Sequence, residues 1–236
     1  MMISILRNTR AAAQLALCLV GASGGFSAAQ AQAPAPGALA QLYAARPPAE
    51  MAYVRVISAD AQPVQVQIAD APAETLSRQR VASNYAIVKG DTRFHVLHNG
   101  QSSPALQVAP GSYSSVVLDT SAKPAQWVVI ADTAGNADAL KASLHFYNLV
   151  PGCGAAQLQV APSGPALFNA VKAQAVQSRS INPVRAQLQG SCQQAASAPL
   201  DLPALQPSEH YSLFLLGSAE QPVLQGQLSS TNPYRP

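Results

Sequence analysis

The feature that most constrains the fold of this chain is a strict alternation of apolar and polar residues that occurs twice. Residues Val64–Ile68 read Val-Gln-Val-Gln-Ile, and about 90 positions later Ala156–Val160 read Ala-Gln-Leu-Gln-Val. Side chains of a β-strand point alternately to opposite faces, so each segment predicts a strand with one face in a core and the other in solvent. Because an α-helix has a period of 3.6 residues, the alternation favours a chain built from strands.

The repetition extends beyond this pair of strands. Three more segments of the first half match segments of the second half in the same order: 54–58 with 144–148, 94–100 with 184–190, and 113–118 with 211–216. Ordered self-similarity of this kind indicates a duplicated domain. Short strands separated by Gly, Pro and Asn turn signals are typical of antiparallel sandwiches. We therefore predict an all-β chain with two tandem small antiparallel β-sandwich domains.

One segment leaves the secondary structure open. Residues 167–177 contain Ala, Lys and Gln, which favour helices, but the repeat frame predicts a strand or a loop there. Elsewhere in the first half the pattern predicts further strands, at 85–89, 93–98, 105–108, 114–119 and 126–131.

The first residues have the three-part plan of a secretory signal peptide. Arg7 and Arg10 precede an apolar run that is interrupted only by Gln14, and small residues follow up to Ala31. The run is too short to span a bilayer, which needs about 20 apolar residues. The sequence therefore predicts a cleaved signal peptide and a periplasmic protein. The predicted parts are a signal peptide at 1–31, an extended arm at 32–50, a first sandwich at 51–131, a linker at 132–139 and a second sandwich at 140–236.

Charge excludes one class of partner. Charged residues make up only 11% of the chain, with 14 Lys and Arg against 11 Asp and Glu. Removal of Arg7 and Arg10 with the signal peptide leaves 12 against 11, a net charge of +1. Binding to nucleic acid by counterion release needs many more cations on one face. We therefore expect no nucleic-acid partner.

Cysteine usage agrees with export. Cys18 lies in the predicted signal peptide, and Cys153 and Cys192 remain as an even pair in an oxidising compartment. A disulfide between them would close a loop of 39 residues and stabilise the fold by roughly 4 kcal/mol. Two cysteines without a neighbouring histidine make a poor zinc site, so we predict no metal.

Motifs for catalysis are sparse. A Gly-x-Ser-x-Gly string occurs at 21–25, but it lies within the predicted signal peptide rather than between a strand and a helix. His95 and His98 are three residues apart, so on a strand they would point to opposite faces and not converge on a metal. His145 and His210 are interpreted as sheet-face residues. The chain also lacks nucleotide- and calcium-binding motifs. We predict no catalytic residue and no cofactor.

Aromatic residues bear on carbohydrate binding. The chain has 13 aromatic residues and a single tryptophan, Trp127, within an apolar strand. That setting favours a core position over an exposed sugar platform. A carbohydrate-binding β-sandwich module of an exopolysaccharide secretion system is nevertheless the alternative function.

Several short motifs resemble those of a known family. Leu42 and Tyr43 precede a Pro-containing spacer and the strand Tyr-Val-Arg-Val-Ile at 53–57, and the string Ser-Ile-Asn-Pro-Val-Arg-Ala-Gln-Leu lies at 180–188. In their order and spacing, and in the layout of signal peptide and two β-domains, the chain resembles the AlgF family of periplasmic alginate O-acetylation proteins.

The resemblance implies a function in acetylation of an exported polysaccharide, alginate or in related systems cellulose. It implies an accessory protein without an active site of its own. The implied partners are a periplasmic SGNH-type acetyltransferase, a membrane-bound O-acyltransferase and the polysaccharide. The cysteine pair is not part of the family pattern.

The residues that we expect to bind a partner are those that carry the resemblance: Leu42, Tyr43, Asn182, Pro183 and Val184. The arm around Tyr43 could dock by adding a strand or by inserting the Tyr43 ring into a pocket. Alternatively, Tyr43 covers the open end of the first sandwich. The alternative for Asn182, Pro183 and Val184 is the entry of a strand, with proline at its first residue.

Overall fold

The computed structural model describes residues 47–58, 62–119, 125–132 and 138–234. These residues form strands, turns and loops, and none of them is in a helix, which confirms the all-β prediction. No described helix could therefore cross a membrane. The strands of the first half are β1 Met51–Ser58, β2 Val64–Ile68, β3 Glu74–Leu76, β4 Ala86–Lys89, β5 Val96–His98, β6 Gln101–Ser102, β7 Tyr113–Asp119 and β8 Gln126–Ala131.

The second half continues with nine strands in the described part of the chain. They are β9 Ala142–Asn148, β10 Ala156–Val160, β11 Ala166–Val171, β12 Ala175–Ile181, β13 Ala186–Cys192, β14 Ala195–Ala196, β15 Leu200–Leu202, β16 His210–Gly217 and β17 Pro222–Leu228. Residues 167–177 thus lie in β11, a turn and β12, so the prediction of strand or loop is confirmed.

Each half forms two sheets that pack as a sandwich. The first inner sheet has the order β4-β1-β7-β8 and the first outer sheet β3-β2-β5-β6. The second inner sheet has the order β12-β9-β16-β17, and the second outer sheet is β11-β10-β13-β14 with β15 also on β13. Because equivalent strands occupy equivalent places, the topology confirms the duplication.

The sheets are not purely antiparallel as predicted. In each inner sheet the two central strands, β1 with β7 and β9 with β16, run parallel. The chain leaves the inner sheet after its first strand, builds the outer sheet, and re-enters the inner sheet in its original direction. Alternation of side chains indicates a strand but not its direction, so the sequence could not distinguish the two arrangements.

Two details predicted from the sequence are wrong, one match between the halves and one strand. The match of Tyr113 with Tyr211 is displaced by one residue, since the equivalent backbone bonds run from Tyr53 to Ser112 and from Ser143 to Glu209. A slip of one residue exchanges the two faces of a strand, and accordingly Tyr113 is exposed while Tyr211 is buried. The strand predicted at 105–108 is also absent, as that segment forms only an isolated bridge between Phe94 and Leu106.

Three apolar clusters hold the layers together. One lies within each sandwich, and the third lies between the two inner sheets. The third cluster includes Ile57 and Val117 from the first inner sheet and Tyr147, Phe214 and Leu216 from the second. The inner sheets are therefore buried on both faces, and the four sheets form successive layers. Burial on both faces explains the continuous apolar run in β16, which a half-exposed strand would not need.

The end of β17 and the tail that follows it are tied to the first sandwich. The Gln227 side chain donates to the carbonyl oxygen of Ala82 (2.8 Å) and accepts from the Ala82 backbone N–H (3.2 Å). Tyr85 exchanges backbone hydrogen bonds of 2.8 Å with Ser230 and Asn232. The tail that follows β17 thus pairs through its backbone with the segment that leads into β4.

Candidate functional site

The loop between β12 and β13 carries three of the predicted partner-binding residues. Asn182, Pro183 and Val184 are all exposed, and Val184 keeps 50% of its surface accessible. β13 begins only at Ala186, so the proline belongs to the loop and does not open the strand. Beside this loop runs a groove of about 560 Å³, lined by Arg185, Ala186, Gln187, Asp201, Leu202, Pro203 and Ala204. The structure therefore presents an exposed apolar side chain next to a groove of mixed polar and apolar lining.

The other two predicted partner-binding residues, Leu42 and Tyr43, lie outside the described residues. Their role stays a prediction.

The disulfide between Cys153 and Cys192 is confirmed. Its Cα atoms are 5.8 Å apart, and both cysteines are fully buried in the core of the second sandwich. The bridge joins the loop after β9 to the end of β13. It is therefore a structural staple rather than an accessible redox group.

Three side chains considered as candidates in the sequence, His95, His98 and Trp127, make local contacts within the first sandwich. His95 bonds through Nδ1 to the Ser103 carbonyl oxygen at 2.9 Å, whereas the ring of His98 lies edge-on to Trp127 at 6.4 Å. Trp127 is half-buried against the first core. In the described ranges no three side chains come together as metal ligands.

The most unusual group in the molecule is a buried arginine between the two inner sheets. Arg55 on β1 is only 1% exposed. Its Nε donates to Ser115 Oγ (2.9 Å), and its two terminal nitrogens donate to Tyr147 Oη (2.7 Å), Ser212 Oγ (2.9 Å) and Ser229 Oγ (3.2 Å). Three of these four acceptors belong to the second sandwich. Arg55 therefore links the two sandwiches through charge-assisted hydrogen bonds.

The charge of Arg55 is balanced indirectly. Asp132, which follows β8, accepts hydrogen bonds from Tyr85 Oη (2.7 Å), Tyr147 Oη (2.7 Å) and Ser115 Oγ (2.9 Å). Tyr147 and Ser115 thus each accept from the guanidinium and donate to the carboxylate. The cation and the anion are joined by two hydroxyl bridges, and each bridging hydroxyl uses both its donor and an acceptor site.

Aromatic rings enclose the guanidinium. Its carbon lies 4.7 Å from the ring centre of Tyr85, 5.1 Å from that of Tyr147 and 5.5 Å from that of Phe214. These distances are within the range of cation–π attraction, which is strongest where water is excluded. The rings therefore replace part of the solvation that burial removes.

The environment shifts the pKa of several groups in this cluster. Burial alone would lower the pKa of Arg55, but the electrostatic contacts with Tyr147, Tyr85 and Asp132 raise it above its ordinary value. Burial raises the pKa of Tyr147 to about 12 and also raises the pKa of Tyr85 well above its usual range, although Arg55 opposes both shifts. The arginine is therefore charged and both tyrosines are protonated hydrogen-bond donors at neutral pH.

A histidine pair lies beside this cluster in the second inner sheet. His145 Nε2 and His210 Nδ1 are 3.4 Å apart, and Nδ1 of His145 is buried without a hydrogen-bond partner. Burial, His210 and Arg55 together lower the pKa of His145 to about 4. Burial also lowers the pKa of His210. Both rings are therefore neutral at physiological pH.

Sequence reasoning did not identify this cluster as a unit. The repeat matches His145 to Arg55, and the sequence indicates only that His145 lies on a sheet face. A signal was present, because Arg55 is the one charged residue in the apolar strand at 53–57. An arginine amid valine and isoleucine indicates a buried cation when both faces of the strand are covered.

The cluster has hydrogen-bonding groups but not the geometry of a catalytic site. In the described ranges, histidine rings bond to a backbone carbonyl and to each other rather than to a serine hydroxyl. Ser115 and Ser212 are buried, and their hydroxyls already serve Arg55 and Asp132. Nucleophilic catalysis requires a base in contact with the nucleophile. The cluster is therefore arranged to hold the sandwiches together.

Comparison of the chain with known proteins identifies a family. A family described as alginate O-acetyl transferase AlgF matches residues 22–211, and no curated protein matches the chain. A solved structure of the C-terminal domain of AlgF from P. aeruginosa is 22% identical and covers 38% of this chain and 98% of its own, with a TM-score of 0.33. A family CBM26 carbohydrate-binding module from Eubacterium rectale Amy13K, solved with maltoheptaose, is 8% identical and covers 78% of this chain and 98% of its own, with a TM-score of 0.25.

Neither structural likeness bears on the function, because both TM-scores are low. The family match is different, since it covers the first sandwich and the second one as far as the start of β16, and it includes the Tyr-Val-Arg-Val-Ile strand with Arg55. It confirms the resemblance found in the sequence: the chain belongs to the AlgF family, whose description is alginate O-acetylation.

Proposed function

We propose that this protein is a non-catalytic periplasmic adaptor for O-acetylation of an exported polysaccharide. In this proposal a signal peptide at 1–31 directs the protein to the periplasm. The observation that carries the proposal is the match to the AlgF family over residues 22–211. The polymer is alginate or a related polysaccharide. The partners are acetyltransferase components, namely a periplasmic SGNH-type acetyltransferase and a membrane-bound O-acyltransferase.

Support for an adaptor comes from the use of polar groups. Acetyl transfer through an enzyme-bound intermediate needs an accessible nucleophile and a base beside it. In the described cluster, the buried hydroxyls instead satisfy one cation and one carboxylate. Such a network stabilises an interface between domains and leaves the surface loops to contact other proteins.

The surface loop at 182–184 is the partner-binding element of this proposal. Val184 offers an exposed apolar side chain, and the neighbouring groove offers Arg185, Gln187 and Asp201 for polar contacts. An apolar anchor surrounded by polar groups is the usual composition of a binding hot spot and its rim. Leu42 and Tyr43 on the N-terminal arm are a second contact in the same proposal.

The test is complementation of a strain that lacks the gene. Ester-linked acetate would be measured on the exported polysaccharide, and co-purification would be measured with a tagged SGNH-type acetyltransferase of the same system. We expect Val184→Asp to reduce both, because it places a charge in an apolar contact. Val223→Asp is the matched control, since Val223 is 48% exposed on β17 and lies outside the proposed site.

Two results would contradict the proposal. One is normal co-purification and normal acetylation by a variant in which Val184, Leu42 and Tyr43 are all replaced. The other is acetyl transfer from p-nitrophenyl acetate to oligosaccharide by the purified protein alone, which would make it an enzyme.

A second candidate function, direct binding of polysaccharide, is favoured by one feature of the first sandwich. The rings of Tyr53 and Tyr113 stack with centres 4.3 Å apart and planes 4° from parallel, and Tyr113 is 41% exposed. A rigid exposed ring is a surface on which a sugar can stack. Affinity electrophoresis in gels containing the polymer tests this candidate, which predicts retardation of the protein and loss of that retardation in Tyr113→Ala.

A further inference from the structure

The edge strands of this molecule differ in how they are protected against pairing with another strand. Natural proteins protect exposed edges with charges, prolines, bulges or very short strands. Among the described edges of four residues or more, β4 ends in Lys89, β12 contains Arg179, β17 begins with Pro222, and β11 has register shifts against β10. The shorter edges are two or three residues long. One edge, β8, has none of these protections.

β8 is six residues of Gln-Trp-Val-Val-Ile-Ala in unbroken antiparallel register with β7. It contains no charged residue, no glycine and no proline. Val129 at its centre keeps 42% of its surface exposed. The strand is therefore regular and apolar, and among the described strands only β7 pairs with it, as expected of a site for strand addition.

The backbone register shows which groups face outward. Asp132 donates its N–H to the carbonyl oxygen of Tyr113 at 2.9 Å, so this pair is a hydrogen-bonded pair of the β7–β8 ladder. Hydrogen-bonded pairs alternate along an antiparallel ladder, so Trp127, Val129 and Ala131 direct their N–H and C=O groups away from β7. Within the described residues, no backbone group takes up those outward bonds.

We propose that β8 pairs antiparallel with β8 of a second copy of this chain, across a two-fold axis at Val129. This register places Val129 opposite Val129 and Trp127 opposite Ala131, a large ring against a small side chain. Each of the three outward pairs exchanges two backbone hydrogen bonds, so six bonds form. On the other face Val128 lies opposite Ile130, and Asp132 lies opposite Gln126.

A second copy is the occupant because β8 is complementary to itself in this register. Antiparallel pairing requires opposite residues to lie on the same face, and this alignment satisfies that requirement at every position from Gln126 to Asp132. No like charges meet, and no side chain meets one of equal bulk except the two central valines. The four-stranded inner sheet would become an eight-stranded sheet through the dimer.

Mass measurement by light scattering after size-exclusion chromatography of the mature protein tests the proposal. A single pair of strands buries a small area, so we expect weak self-association, with a Kd of about 100 µM. The average mass should therefore rise with concentration from that of the monomer towards twice that value. Val129→Lys places two like charges on the two-fold axis and should restore the monomer mass. Val223→Lys, at an equally exposed valine on the proline-protected edge β17, should leave the dimer intact.

A covalent probe tests the register itself. Opposite Cα atoms of a hydrogen-bonded antiparallel pair are about 5.5 Å apart, within the range that a disulfide spans. Val129→Cys should therefore form a cross-linked dimer on mild oxidation, whereas Val223→Cys should not. A monomer mass at several hundred micromolar (on the order of ten milligrams per millilitre) would overturn the proposal, as would a Val129→Lys variant that still dimerises.

Discussion

The two sandwiches share one topology but use the equivalent position on their central strand differently. Arg55 lies on β1, and its counterpart on β9 is His145. Arg55 is charged and donates four hydrogen bonds, three of them into the second sandwich, whereas His145 is neutral and leaves Nδ1 without a partner. The difference shows that the interface accommodates one buried cation, since a second one would face the first without an additional anion.

The packing of the sandwiches makes this difference necessary. The tail that follows β17 lies on the segment leading into β4, and β8 lies near β12. Because β8 is equivalent to β17 and β4 to β12, both contacts bring equivalent edges of the two inner sheets near each other. The halves therefore meet as two subunits of a symmetric dimer do, and a residue near the symmetry axis meets its own counterpart.

The largest effect should come from removing the cation of the first sandwich. Arg55→Met leaves the hydroxyl oxygens of Ser115, Tyr147 and Ser212 without their donor. It also leaves the carboxylate of Asp132 without a nearby cation. Breaking a buried charged network in this way should lower the free energy of unfolding by about 5 kcal/mol. Urea denaturation followed by intrinsic fluorescence measures it. Arg93→Met, at an exposed arginine of the first half, is the control and should change stability little. Equal stability of both variants would contradict the role given to Arg55.

The second sandwich should depend on its disulfide. The bridge closes 39 residues of that half, and the chain-entropy model gives it roughly 4 kcal/mol of stabilisation. We expect Cys153→Ala combined with Cys192→Ala to lower the melting temperature and to accelerate hydrogen exchange in the second core. The first core should exchange more slowly than the second in the variant. Uniform acceleration across both cores would mean that the sandwiches unfold as one cooperative unit.

The neutral histidine should make the interface sensitive to acid. Its pKa is about 4 in the folded protein, below the ordinary value of 6.5, so the unfolded chain binds a proton more readily. The contribution of neutral His145 to the free energy of unfolding is therefore fully present above pH 6.5. It is lost as the pH falls towards 4, and the total loss is about 3 kcal/mol. His145→Gln should flatten that part of the pH–stability curve. His98→Gln, on β5 and outside the interface, is the control for replacing a histidine.

The smallest effect should come from the tail contact. Gln227→Ala removes two hydrogen bonds to Ala82 and should cost about 1 to 2 kcal/mol. The neighbouring Gln225→Ala is the control, because Gln225 lies on the same strand. A loss as large as that of Arg55→Met would indicate that the contact of β17 with Ala82, rather than the arginine, holds the sandwiches together.

Much of the fold could be predicted from the sequence because it depends on local pattern. Alternation in β2 and β10 predicts a covered face and an exposed face, and the two strands occupy equivalent places in the outer sheets. The disulfide also followed, since the two cysteines outside the predicted signal peptide have one possible pairing. The parallel central strands did not follow, because neither side-chain period nor spacing encodes strand direction.

The interface could not be predicted because it arises from packing between the halves. His145 and His210 are 65 residues apart and become neighbours through the parallel register of β9 and β16. Arg55 meets Ser229, 174 residues later, only after both inner sheets have formed. Such contacts depend on the arrangement of whole sheets. Burial on both faces explains the apolar run in β16, but the run does not show which surface covers it.

The tail contact has a consequence for the order in which the molecule matures. Tyr85 belongs to the first sandwich, yet its backbone partners are Ser230 and Asn232, which follow β17. During synthesis from the N-terminus the first core can assemble early, but that sandwich cannot be closed until the residues beyond β17 have been made. Removal of residues 229–234 is therefore a lesion of the first sandwich as well as of the second.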